Sequence, residues 1–279
     1  MKVHANVMIK NEALVLHEII PIWNAYAIDE WVFYDDTSTD DTVEVLKKNL
    51  NAKVTILNDR LPLFNETHYR SRMLEYSREA GADYVVAIDA DELLSANLVE
   101  NFEEVLKANS IFNIAYYWYN LVEGLDYIRQ DPLYVNNYKH FIMPMKHTGT
   151  FDQYRDIMIH TPRTAPINLP VRYTKEYGFI HLQAINRRFY ALKQLRYKHF
   201  EYHSRFDQSI ESLNERYDPV VNGLEFNKVL IPPQIIGDIH FDAAVYDKME
   251  EWKGFKKYIQ ENRVEKLVTF GKEYLDYEN

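Results

Sequence analysis

The chain has 279 residues, 47% of them hydrophobic and 27% charged, with a net charge of −10 and no cysteine. That length allows a large core in one or two domains, and the acidic balance argues against coating nucleic acid by bulk electrostatics. Absent cysteines exclude disulfides, zinc–thiolate sites and cysteine nucleophiles, and they fit a reducing compartment.

In chain order, residues 3–9 are a β-rich run. Residues 11–26 carry helical periodicity, with Leu14, His17, Ile20 and Trp23 spaced for one face. Residues 31–34 read as a short buried strand that ends in the polar loop Asp35-Asp36-Thr37-Ser38-Thr39-Asp40-Asp41-Thr42, which also offers helix N-caps. A helix is expected over 43–50, a third strand over 53–57, and a helix over 67–80 that stops at Gly81. Residues 84–88 form a fourth strand running into Asp89-Ala90-Asp91-Glu92. A helix over 98–108 and a fifth strand over 113–119 complete an alternating pattern that predicts a mostly parallel sheet. The middle, about 120–180, is rich in Tyr, Pro and His, with short β-like runs at 156–160 and 178–182. A helix follows over 186–203, and two amphipathic helices are expected within 243–277. No run approaches ~18 apolar residues, so no integral membrane segment is expected. Residues 1–9 lack the apolar stretch of a signal peptide. The expectation is a soluble, cytoplasmic protein whose membrane association, if any, is peripheral.

Ligands of open parallel sheets bind at the carboxyl ends of the strands. Three polar clusters fall at such ends: Lys10-Asn11-Glu12, Asp35-Asp36 and Asp89-Ala90-Asp91. Each alone is ordinary, since loops after strands are usually polar, but together they converge on one rim. At an extended strand end, residues i and i+2 point to the same side. Asp89 and Asp91 could then hold a hard divalent cation, Mg²⁺ or Mn²⁺, against phosphate oxygens. The bland alternative is that Asp91 caps the next helix while Asp89 is merely exposed. The 22 tyrosines suit a pocket that stacks on bases and sugars, although most are expected to fill core and rim positions.

The motifs Met8-Ile9-Lys10-Asn11-Glu12-Ala13, Tyr34-Asp35-Asp36-Thr37-Ser38-Thr39-Asp40-Asp41-Thr42 and Ile88-Asp89-Ala90-Asp91-Glu92, in that order, resemble the family 2 glycosyltransferases and their GT-A relatives. Later, Phe179-Ile180-His181-Leu182-Gln183, followed by Lys193 and Tyr197, is similar to the branch with a His-x-Gln element and a Lys-x-x-x-Tyr helix. The resemblance implies an α/β fold of GT-A (Rossmann-like) type, a mostly parallel sheet flanked by helices with a helical C-terminal extension. It divides the chain into a catalytic domain over 1–205, its nucleotide-sugar half over 1–110 and its acceptor half over 111–205, with the extension over 206–279. It also implies a metal-dependent, inverting transfer from a UDP- or GDP-type sugar to a hydroxyl of a glycan or glycolipid.

Carried over residue by residue, the resemblance has Asn11 lining the nucleoside pocket and Asp36 binding base or ribose. Asp89 lies near ribose and metal, Asp91 is the direct metal ligand, and Arg70 or Arg72 reaches the donor. The family loop usually has Gly where Thr37 stands. His181 is a further metal or diphosphate contact, weighed against a structural histidine. Lys193 and Tyr197, four apart on one helix face, either clamp phosphate or lie on a solvated face. Asp156 is the expected base for deprotonating the acceptor, and Asp152 is the runner-up, because the usual Glu-Asp pair is broken by Arg155. Two other functions compete: a nucleotidyltransferase, disfavoured by the lack of any glycine before Gly81, and a non-catalytic nucleotide-sugar-binding module.

Overall fold

The computed structural model describes residues 1–59, 61, 64–132, 134–155, 157, 160–204, 209–221, 225–248, 257, 260 and 261. The chain forms two compact units. The first comprises Met1–Tyr119, Pro132–His181 and Ile231–Asp242; the second comprises Asn120–Asp131, Leu182–Leu230 and Ala243–Asn279.

The first unit is built on a five-stranded sheet. Its strands are β1 (Val3–Ile9), β2 (Glu30–Asp35), β3 (Lys53–Leu57), β4 (Tyr84–Asp89) and, far along the chain, β9 (Ile142–Pro144), ordered β3-β2-β1-β4-β9. The first four run parallel and β9 is antiparallel to β4. Parallel neighbours need crossover helices. Here these are α1 (Ala13–Trp23), α2 (Thr42–Asn49) and α3 (Glu66–Glu79). This is the α/β sheet flanked by helices that the alternation predicts.

The expected face of α1 is corrected in part. Ile20 and Trp23 are buried, but Leu14 and His17 are exposed, and the helix instead buries Ala13, Val15, Leu16 and Ile19 beside them. The helix is largely apolar, so spacing alone did not select its inner stripe. Trp23 stacks on Trp31 of β2 at 4.5 Å, and Trp31 on Phe33 at 6.1 Å. These rings cement α1 to the sheet.

Beyond β4 come β5 (Glu92–Leu94), α4 (Ala96–Glu100), α5 (Phe102–Asn109), β6 (Asn113–Val122), β7 (Tyr127–Arg129), β8 (Tyr138–His140) and β10 (Val171–Ala184). The single helix expected over 98–108 is two, divided at Asn101. In the first unit β10 pairs antiparallel with β5 and β8 with β6. A Cβ on Gly178 of β10 would clash with the Tyr119 ring and the Tyr117 carbonyl, so glycine is what lets β6 lie close. Phe141 and Phe179 stack at 3.8 Å beneath.

In the second unit β7 pairs with β11 (Lys228–Leu230) and with the end of β6. Helices α6 (Arg187–Ser204) and α7 (Ile210–Val221) pack together. Buried Lys198 pairs with Asp218, and buried Glu201 accepts from Arg216 at 2.7 Å and from Tyr217 at 2.8 Å. Of the two C-terminal helices expected over 243–277, α9 (Val245–Lys248) is described; the rest lies almost wholly outside the described residues. Between α7 and α9 in sequence is α8 (Pro233–Ile236), of the first unit. No helix among the described residues is long and apolar enough to cross a membrane.

Candidate active site

The carboxyl ends of β1, β2 and β4 meet on one rim, as parallel strands require. After β1, Lys10 donates to Asp36 Oδ2 at 2.8 Å. Tyr69 of α3 donates its hydroxyl to Asp36 Oδ1 at 2.7 Å and stacks on Tyr34 at 4.1 Å. Asn11 has a positive φ of 54°, a conformation asparagine tolerates. Its backbone N–H donates to Ser38 Oγ at 3.0 Å, and its side-chain carbonyl accepts from the Thr39 N–H at 2.8 Å. Asp35 accepts from the Ser38 N–H at 3.0 Å, and Asp40 ties the loop to Ala13 and Thr42. The β1 and β2 loops therefore brace one another. Thr37 adopts φ 59°, so the left-handed turn that glycine usually supplies is kept here by a β-branched residue.

The Asp-x-Asp element differs from the extended strand end expected of it. Asp89 closes β4, Ala90 and Asp91 form a tight turn, and Glu92 opens β5. Asp91 caps no helix, since Ser95 holds the N-cap position of α4. His181 of β10 pairs opposite Glu92 in the β5–β10 register, which brings its Nε2 to 3.6 Å from Asp91 Oδ2. The sequence-expected partnership of Asp91 and His181 is therefore one of proximity in the fold.

Four further residues surround this turn. Glu92 is fully buried. Its Oε2 accepts the Asp89 backbone N–H at 2.9 Å, and its Oε1 accepts the Trp118 indole N–H at 2.7 Å. Arg163 reaches Glu92 Oε1 at 2.6 Å and Asp89 Oδ2 at 2.8 Å. Trp118 stacks on His181 at 4.3 Å, and Lys139 of β8 sits over the Trp118 ring at 3.2 Å from its centroid. Glu92 lay inside a quoted motif. The other three lie in the loop-rich middle and carry no local signal.

Charge crowding perturbs these groups. Burial pushes Glu92 up to about 8, with Asp89 and Asp91 adding to the push and Arg163 opposing it. Burial would also raise Asp89, but Arg163 and Arg70 hold it below the ordinary carboxylate value. Burial and then Arg163 bring Lys139 down to about 7.

The remaining expected residues are placed as follows. Arg70 is buried, pairs with Glu66 at 2.7 Å and lies 3.6 Å from Asp89 Oδ1. Arg72 pairs instead with Asp59 at 3.0 Å and Glu75 at 3.1 Å. Asp152 is exposed and pairs with Arg155 at 2.7 Å, which with Thr150 holds its carboxyl low. Asp156 lies outside the described residues. Lys193 and Tyr197 are on α6 of the second unit, where Tyr197 packs against Leu213 and Tyr217.

The acidic turn and the braced Asn–Asp rim lie at the carboxyl edge of the parallel sheet, where open sheets of this kind bind their ligands. The family model described as glycosyl transferase family 2 matches residues 7–171, more than half of the chain. The chain belongs to that family and is a glycosyltransferase. Among solved structures it is similar to residues 1–349 of TarS from S. aureus in complex with UDP-GlcNAc (13% identity, 79% of this chain and 70% of that one, TM-score 0.42). It is also similar to the mannosyltransferase PcManGT from Pyrobaculum calidifontis in complex with GDP-Man and Mn²⁺ (16% identity, 79% and 69%, TM-score 0.40). A third is glucosyl-3-phosphoglycerate synthase from Mycobacterium tuberculosis with Mn²⁺, UDP-Glc and phosphoglyceric acid (19% identity, 42% and 44%, TM-score 0.32). No curated protein sequence matches the chain.

Proposed function

We propose that the protein moves a sugar from a nucleoside-diphosphate sugar, of UDP or GDP type, to a hydroxyl of a glycan or glycolipid acceptor. The reaction is a single displacement with inversion. The observation that carries this reading is the pairing of Asp91 with His181 beside Asp89, on the same sheet edge as Asn11 and Asp36.

The donor set suits a divalent ion. Asp91 Oδ2 and His181 Nε2 are hard-oxygen and imidazole donors 3.6 Å apart, and Asp89 Oδ1 is buried without a hydrogen-bond partner among the described residues. Asp91, His181 and Asp89 would hold Mn²⁺ or Mg²⁺. Among the described residues no preformed trio of His, Asp or Glu side chains is arranged as a metal site, so the donor diphosphate would supply remaining ligands. When bound, the ion neutralises charge on the leaving diphosphate.

The chain's own residues do the rest. Asn11 and Asp36 bind the nucleoside, with Arg70 facing the Asp89 side and Arg72, Lys193 and Tyr197 as further donor contacts to be tested. Asp156 deprotonates the acceptor hydroxyl, with Asp152 as the alternative. The absence of cysteine suits a reducing compartment, and we place the reaction in the cytoplasm, with peripheral contact to membranes where the acceptor is lipid-linked.

The test is incubation with a panel of nucleotide sugars and Mn²⁺, reading the slow release of nucleoside diphosphate. Release from one donor, lost on adding EDTA, is the expected result. A panel with no release and no binding rejects the transferase chemistry. Asp156→Asn should lose turnover and keep donor affinity; full activity in that variant moves the base to Asp152.

A further inference from the structure

The cations around the acidic turn and its rim are mostly committed. Lys10 holds Asp36 at 2.8 Å, Arg70 holds Glu66 at 2.7 Å, and Arg163 holds Asp89 and Glu92 at 2.8 and 2.6 Å. Lys139 differs: no carboxylate among the described residues pairs with it. Its ammonium instead lies 3.2 Å from the centroid of the Trp118 ring.

The strand pairing explains how it gets there. Lys139 registers with Tyr116 of β6, and Trp118 is the diagonal neighbour two residues along on the same face. Trp118 in turn donates to Glu92 at 2.7 Å and stacks on His181 at 4.3 Å. The Lys139 ammonium is thus one ring away from both the acidic turn and the Asp91 partner. It is half-buried; Arg163 and Arg70 repel it, while Glu92 and Asp89 attract it without pairing with it. Burial and the two arginines outweigh that attraction, and an aromatic face offsets only part of the cost, so the ammonium has room for an anion in direct contact.

We infer that Lys139 contacts the substrate, its ammonium binding an anionic phosphoryl oxygen of the nucleoside-diphosphate donor and leaving group. The inference rests on the donor chemistry proposed above and adds a cation that belongs to the protein. A lysine suits the task, being a compact point charge with three donors that forms charge-assisted bonds to phosphate. The oxyanion supplies a counter-charge in direct contact, and the lysine holds it with or without the divalent ion.

Calorimetric titration of the full chain with UDP, GDP, ADP, CDP and dTDP, in Mn²⁺ and in EDTA, tests this. For whichever diphosphate the wild type binds, Lys139→Met should weaken binding by about tenfold in both buffers, the worth of one charge-assisted hydrogen bond. Lys139→Arg should restore it to within about threefold, because the charge is kept. Methionine preserves the apolar contact with Trp118, so the melting temperature should stay within about 2 °C of wild type. Equal affinity of wild type and Lys139→Met in both buffers overturns the inference. So does a weakening that arginine does not restore and that comes with a melting temperature lower by more than about 5 °C, since that is a structural role. A wild type that binds none of the five diphosphates in Mn²⁺ rejects the donor chemistry itself, and this inference with it.

Discussion

Two buried glutamates mark the two ends of the same parallel sheet, and they behave in opposite ways. Glu30 opens β2 at the amino edge and is 1% exposed; Glu92 sits at the carboxyl edge and is 0% exposed. Burial pushes both carboxyls up. At Glu30, hydrogen bonds from Tyr76, Lys53 and Thr55 overcome it and bring the group to about 2. At Glu92, the carboxylates of Asp89 and Asp91 side with burial, and the group stands at about 8. Donors reach both carboxyls, but only Glu92 has two further carboxylates crowded beside it. Crowded carboxylates are unfavourable unless a cation joins them, which is why the carboxyl edge reads as a working site and the amino edge as structure.

The comparison breaks most sharply at Asp91. Asp91→Ala should abolish metal-dependent donor binding by calorimetry and lower turnover by about a thousandfold, with little change in melting. Binding that survives intact removes Asp91 from the metal. Removing that carboxylate also takes away one push on Glu92, so its pKa should fall in the variant.

Glu92→Gln comes next. One of the two Glu92 acceptor oxygens shared by the Asp89 N–H, the Trp118 indole and Arg163 is replaced by an amide donor. Because the Glu92 carboxyl stands at about 8 in the folded chain, above its ordinary value of 4.5, wild-type stability falls as pH rises between those values, and Glu92→Gln should flatten that fall in urea unfolding followed against pH, with donor affinity down by about tenfold or more, as for supporting residues around ligand sites. An unchanged pH profile of stability together with unchanged donor affinity would mean that Glu92 organises nothing.

Glu30 sharpens the structural end of the comparison. Its folded pKa lies below its ordinary value of 4.5, so its stabilisation is complete above pH 4.5 and is lost as pH falls through about 2. At pH 7 Glu30→Gln should cost about 2 kcal/mol, discounted because Lys53 is solvent-exposed. The acid limb of its stability profile between those pH values should flatten, leaving catalysis unaffected. Buried His4 also has a lowered pKa, from burial; its contribution is present above 6.5 and fades below it, which separates the two limbs in a titration.

The smallest effect is expected at Thr37, whose left-handed φ costs a β-branched residue about 1 kcal/mol. Thr37→Gly should raise stability by up to that amount, less the entropy glycine adds to the unfolded chain, and nucleotide affinity should stay within about twofold. A clear fall in affinity would show the threonine itself contacts the ligand.

The near rim was legible from the chain alone because its partners are close in sequence and its bonds are local. Alternating strands and helices set the parallel sheet, and a parallel sheet forces the ends of β1, β2 and β4 onto one edge. The place of Asn11, Asp36, Asp89 and Asp91 on that edge follows from it, while the chain's family, whose model matches 7–171, was legible from the resemblance of its motifs. The far side could not be read this way. Glu92, Trp118, Lys139 and Arg163 come from separate segments; antiparallel pairing of β5 with β10 and β6 with β8 gathers the first three, and Arg163 reaches them from outside the strands. Register decided that His181 faces Asp91. The turn at Ala90 decided that the two aspartates are not a simple strand end. Burial pushes every one of these carboxyls up, and the donors and charges that the fold sets beside each decided which comes back down. Sequence pattern specifies periodicity and local bonds, whereas charge crowding depends on distances that exist only after the chain has folded.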